Sequence, residues 1–123
     1  MFKIRDEQVS ALRASAAQRV VASLTEVAGK NYPALAEKLG ADGLRALIER
    51  LVVAADGYGI SSDAGLSHFA NIGCVLGEEF HRDERYPWAA AILAADELSP
   101  ADKIERLRWW CRNELATRGG RAG

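Results

Sequence analysis

The chain has 123 residues, 49% of them hydrophobic and 27% charged, with 16 basic side chains against 17 acidic ones and a formal net charge of −1. That size and balance fit one folded domain around a single core and argue against wholesale disorder. The lack of a basic excess argues against a nucleic-acid binder, and the longest strongly apolar run, Leu51 to Ala55, falls far short of the roughly 20 residues that cross a bilayer.

Residues MFKIRDEQ turn acidic where a signal peptide would carry its apolar stretch, so a cytoplasmic protein without membrane insertion is expected. Helical periodicity dominates the rest of the chain. A first helix is predicted from about Asp6 to Ala28, with Val9, Leu12, Ala16, Val20, Leu24 and Val27 as its apolar stripe. Arg5, Arg13 and Glu26 flank that stripe, and Gly29 ends the helix. A short second helix starts after Pro33, runs through Leu35 to Leu39 and stops at Gly40. A third spans Asp42 to Gly57, turning Leu44, Leu47, Ile48, Leu51 and Ala55 inward, with Tyr58 packing at its exit and Gly59 as a left-handed cap.

Ser61 or Ser62 caps the fourth helix, where Leu66, Phe69, Ile72, Gly73, Leu76 and Phe80 share a face. Gly65, Gly73 and Gly77 are poor helix formers, so their presence there predicts close helix packing. Pro87 opens a short helix through Trp88, Ile92 and Leu93. In SPAD, Ser99 is the cap and Asp102 stands in the box position of a last helix reaching about Thr117. The predicted fold is all-α: a compact single-domain array of five to six helices over residues 1–117, with 118–123 as a flexible C-terminal tail.

Chemistry is harder to find. Cys74 and Cys111 form no zinc or CxxC pattern and read as small buried hydrophobes. The stretch GEEFHRDERYPW places His81 among Glu78, Glu79, Asp83 and Glu84, yet no second histidine stands four residues away on the same face, and no nucleophile motif occurs. It reads as a polar connector with solvated charges, anchored by Phe80, Pro87 and Trp88. The segments GADG and GYG are not phosphate loops. No catalytic residue, metal ligand or cofactor is therefore expected.

Apolar side chains off the core stripes are more informative. On the last helix Ile104, Leu107, Cys111 and Leu115 share one face, with Trp110 at its border. Trp109 points almost opposite, among Glu105, Arg106, Arg112 and Asn113. A tryptophan rimmed by arginines has the make-up of an interface hot spot, the alternative being that Trp109 packs on a loop or on the N-terminal segment. Val53 and Val75 also lie off their stripes, and His68 sits near Val75 on the outer side of the fourth helix. The candidate partner-binding residues are Trp109, Arg106, Arg112, His68 and Val75.

The segment AADGYGISSDAGLSHFANIGCVLGEEFHRDERYPWAAAIL, within residues 45–115, resembles small bacterial accessory proteins encoded beside type VI secretion effectors. The landmarks are Tyr58-Gly59-Ile60, Leu76-Gly77 with Phe80, Pro87-Trp88 and Ile92-Leu93. Relatives often carry an acidic residue directly after the Phe, where this chain has His81. The resemblance implies a non-enzymatic adaptor or co-chaperone that binds a secretion effector or its larger chaperone during loading, with no catalytic residues. An immunity protein opposing a toxin is the alternative, although such proteins often present an acidic surface and this chain is nearly neutral. A small hydrolase or metal enzyme built on His81 with Asp83 or Glu79 ranks below it. A DNA-binding regulator ranks lower still, because Glu105 and Glu114 interrupt the Arg106, Arg108 and Arg112 stripe. Self-association is left open.

Overall fold

A computed structural model describes the backbone of residues 18–122 and the side chains of residues 18–117. Helix α1 covers 18–31, α2 Pro33–Gly57, α3 Asp63–Leu76, α4 Pro87–Leu93 and α5 Pro100–Ala122, with a 3-10 turn at Phe80–Arg82 between α3 and α4. The described residues contain no strand, and the helices form one compact all-α domain. The expected start of the first helix at Asp6, its Val9, Leu12 and Ala16, and flanking Arg5 and Arg13 lie outside the described residues.

The core centres on α3, which is more apolar than either of the long helices α2 and α5. Phe69 and Ala70 on it are buried, and no residue from Gly65 to Leu76 is fully exposed. Both α2 and α5 pack on α3, and α4 packs on α5 and on the 3-10 turn. Leu51 of α2 reaches α3 at Gly73, where a Cβ would lie 2.3 Å from Leu51 Cδ2. Only a residue without a side chain lets the two helices approach that closely. Gly77, the C-cap of α3, serves the backbone instead: its φ is 109° and an added Cβ would meet nothing within 4 Å. The expectation of close packing thus holds at Gly73 but not at Gly77.

Local signals act where the sequence places them. Ser62 Oγ accepts from the Gly65 amide at 3.0 Å and Ser99 Oγ from the Asp102 amide at 3.1 Å, satisfying amides that a helix N-terminus leaves open. Pro33 and Pro87 stand in the first turns of α2 and α4. At Gly40 the backbone leaves helical geometry, with φ 75° and ψ 169°, so α2 is two helical runs joined at the predicted break.

Three expectations are corrected. In α1 Val21 and Ala28 are the buried residues and Val20 and Leu24 of the expected stripe pack half-buried against the core, while Val27 is 44% exposed; the helix also passes Gly29, since the Tyr32 amide donates to the Ala28 carbonyl. A Cβ on Gly29 would meet Leu44 of α2 at an ordinary contact distance of 3.8 Å, so this side of α1 faces α2 without requiring a glycine. Helix α5 continues past Thr117 to Ala122. Gly119 and Gly120 weaken a helix by about 1 kcal/mol each, but they leave its hydrogen-bond ladder whole as a proline would not. Last, Pro87 is exposed and is no anchor; buried Tyr86 takes that place beside Phe80.

Candidate interaction surface

Helix α5 presents Lys103, Ile104, Leu107 and Cys111 to the core. At about 100° per residue, Trp110 falls some 60° from Leu107 and Trp109 about 160° away, so the two consecutive indoles leave the helix on different sides. Trp110 turns toward α4 and stacks on Trp88, with ring centroids 5.8 Å apart and planes 11° from parallel. Trp109 meets Trp110 edge-on at 5.2 Å and 82°. It remains 51% exposed, more than any other aromatic side chain described.

Asp102, Glu105, Arg106, Trp109 and Trp110 line a shallow groove of about 550 Å³. Glu105 accepts from Arg108 at 3.0 Å. Arg106 and Arg112 hold no carboxylate among the described residues, whereas Arg45, Arg50, Arg82, Arg85 and Arg108 each hold one. Of the five candidate partner-binding residues, the structure gathers Trp109 and Arg106 in this groove and puts Arg112 one turn beyond Trp109. His68 and Val75 lie on α3, away from it. Val75 is partly buried against the core and His68 is half-buried, so neither is a free outward side chain. The reason is that α3 is covered by neighbours on several sides. Off-stripe Val53 does stay outside, at 72% exposure.

The polar connector holds a second concavity of about 590 Å³, whose lining includes Arg50, Val53, Tyr58, Glu78, His81 and Arg82. Its charges are mutually satisfied. Arg50 donates to Glu78 at 2.5 and 3.1 Å, Arg82 pairs with Glu79, and Arg85 grips Asp83 at 2.7 Å. These arginines hold the Glu79 and Asp83 carboxyls below their usual range. His81 is the exception to the solvated-corner expectation. It is 8% exposed, its Nδ1 lies 2.9 Å from the Tyr58 hydroxyl, and its ring contacts Phe69 and Phe80. Burial, followed by the Arg82 charge, pushes its pKa down. The imidazole is therefore a member of an aromatic cluster, and the carboxylates proposed to orient it are bound to arginines instead. Among the described residues, no group of three or more His, Cys, Asp or Glu side chains is placed to hold a metal.

Cys111 is buried and Cys74 half-buried, and burial pushes the Cys74 thiol up to about 11. Burial also raises the Tyr32 phenol, with smaller contributions from Cys74 and Cys111. No helix among the described residues is long and apolar enough to cross a membrane.

Sequence reasoning missed the Trp88–Trp110 stack, the burial of His81 and Tyr86, and Lys103, whose Nζ donates to the Leu93 carbonyl at 2.9 Å. The adjacent tryptophans in RLRWWCR were the available signal, since one helix face cannot bury both. No protein-family model matches this chain, and neither a curated protein nor a solved structure does.

Proposed function

We propose that this chain is a non-enzymatic protein-binding module, an adaptor or co-chaperone for a bacterial secretion effector or for that effector's larger chaperone. The observation that carries the binding role is Trp109. A large aromatic side chain stands half in water beside Arg106, which no described carboxylate pairs, on a helix whose opposite face is already anchored in the core. Exposed tryptophan and arginine of this kind supply most of the affinity of many protein interfaces. The narrower assignment to secretion rests on the resemblance carried by Tyr58-Gly59-Ile60, Leu76-Gly77, Phe80 and Pro87-Trp88. The saturated ion pairs around His81 agree with a connector role for that segment, because Glu78, Glu79 and Asp83 are all engaged by arginines rather than by the imidazole.

Co-expression with the products of the adjacent genes tests the reading. A stable complex with an effector or its chaperone, weakened at least tenfold by Trp109→Ala, is the expected result. A chain that elutes alone from such co-expression overturns it.

A further inference from the structure

We infer that the partner segment lying across Trp109 is acidic, with separate carboxylates reaching Arg106 and Arg112. This rests on the protein-binding reading above and names the chemistry of the partner. Most of the described arginines are already neutralised within the chain: Arg45 by Glu49, Arg50 by Glu78, Arg82 by Glu79, Arg85 by Asp83 and Arg108 by Glu105. The two that flank Trp109 are not, among the described residues. Within one turn of Trp109, Glu105 is the only carboxylate, and Arg108 already holds it. Asp102 lies a further turn back, at the start of the helix. Asp102 nevertheless lines the same groove and holds no ion pair among the described residues, so the uncommitted charges around the exposed indole are two cations, Arg106 and Arg112, and one anion.

Geometry suits separate carboxylates. Six residues separate Arg106 from Arg112, which is about 9 Å along the helix and about 120° around it. Two guanidiniums so placed can each fork onto a separate carboxylate while an apolar side chain covers Trp109 between them. An acidic helix or extended segment presents carboxylates at such separations. A guanidinium that enters an interface without an internal partner has no ion pair to break first, so its charge is available to steer and fix the register of binding.

The test uses the full chain labelled with nitrogen-15 and blocked hexaglutamate, hexaglutamine and hexalysine peptides at low ionic strength, read by NMR shifts of the three indole N–H signals. Hexaglutamate is expected to move the Trp109 signal saturably and to leave Trp88 nearly still. Arg106→Gln with Arg112→Gln weakens that binding at least fivefold, and salt near 0.15 M weakens it further. A larger response to hexalysine, or a hexaglutamate response that survives the double substitution, overturns the inference. So does a concentration-dependent dimer dissolved by Trp109→Ser, which would give the face to a second copy. If a complex from the co-expressed genes forms but tolerates both arginine substitutions, the acidic-partner inference fails while the protein-binding role stands.

Discussion

The Tyr58 hydroxyl and His81 Nδ1 lie 2.9 Å apart, joining the end of α2 to the 3-10 turn across the aromatic faces of Phe69 and Phe80. A histidine that is 8% exposed and pushed below its ordinary pKa of 6.5 favours the neutral ring in the folded chain. The unfolded chain then binds a proton more readily than the folded one. His81's contribution is complete above about pH 6.5 and is lost as pH falls through the lowered folded value. The groups that face this ring are Arg82, Glu79 and Glu78, and the paired Glu79 and Asp83 add their own loss of stability at lower pH. Urea unfolding of wild type and His81→Gln between pH 5 and 8 isolates the histidine. The wild type should lose stability on acidification across pH 6.5 more steeply than the variant; parallel curves would place the imidazole in water. Tyr58→Phe should cost about 0.5–1.5 kcal/mol at pH 7.5.

Phe80 is fully buried between Phe69 and His81, so Phe80→Ala should cost about 3–5 kcal/mol. Trp109→Ala, by contrast, should leave thermal unfolding within about 1 kcal/mol of wild type, since its side chain faces water over half its surface. Equal losses for the two variants would mean that Trp109 is a core residue.

The Trp88–Trp110 stack should appear as an energetic coupling. A double-mutant cycle with Trp88→Ala and Trp110→Ala is expected to give about 0.5–1.5 kcal/mol beyond additivity. Trp88 Nε1 is buried and bonds to none of the described residues, so Trp88→Phe sacrifices no hydrogen bond to them and should be milder than Trp88→Ala. Additive single losses would refute the stack.

At Gly73 a methyl group has nowhere to go. Both methyls of Leu51 stand within 2.6 Å of the place a Cβ would occupy, and Leu51 is 1% exposed. Gly73→Ala should destabilise the fold by about 1–3 kcal/mol despite the better helix propensity of alanine. Combining it with Leu51→Ala should recover part of the loss, as measured by chemical denaturation; strict additivity would show that the helices had moved apart freely.

Lys103 is 8% exposed and reaches from α5 to the carbonyl of Leu93, the last residue of α4. Replacement by methionine keeps most of the apolar stem and removes the donor. Lys103→Met should therefore cost about 1–3 kcal/mol and increase amide exchange at the end of α4. Unchanged exchange there would show that the carbonyl finds another donor.

The helices and most of their ends are written into the order of the amino acids. Ser62, Ser99, Pro33, Pro87 and Gly40 act through atoms within a few residues of themselves, so their effects are local and readable in one dimension. The inward face of α1 was only partly readable: Val20 and Leu24 pack against the core as the stripe predicts, but Val21 and Ala28 are buried more deeply and Val27 is exposed. Which of them ends up covered is decided by the neighbours that pack on α1. For the candidate surface, the outward direction of Trp109 was legible from helical phase, and so were Arg106 and Arg112. That Val75 is covered while Trp109 is not, and that His81 joins aromatic rings rather than water, depended on neighbours distant in the chain. Burial is a property of what packs against a side chain, and that is settled only when α2, α5 and the 3-10 turn close around α3.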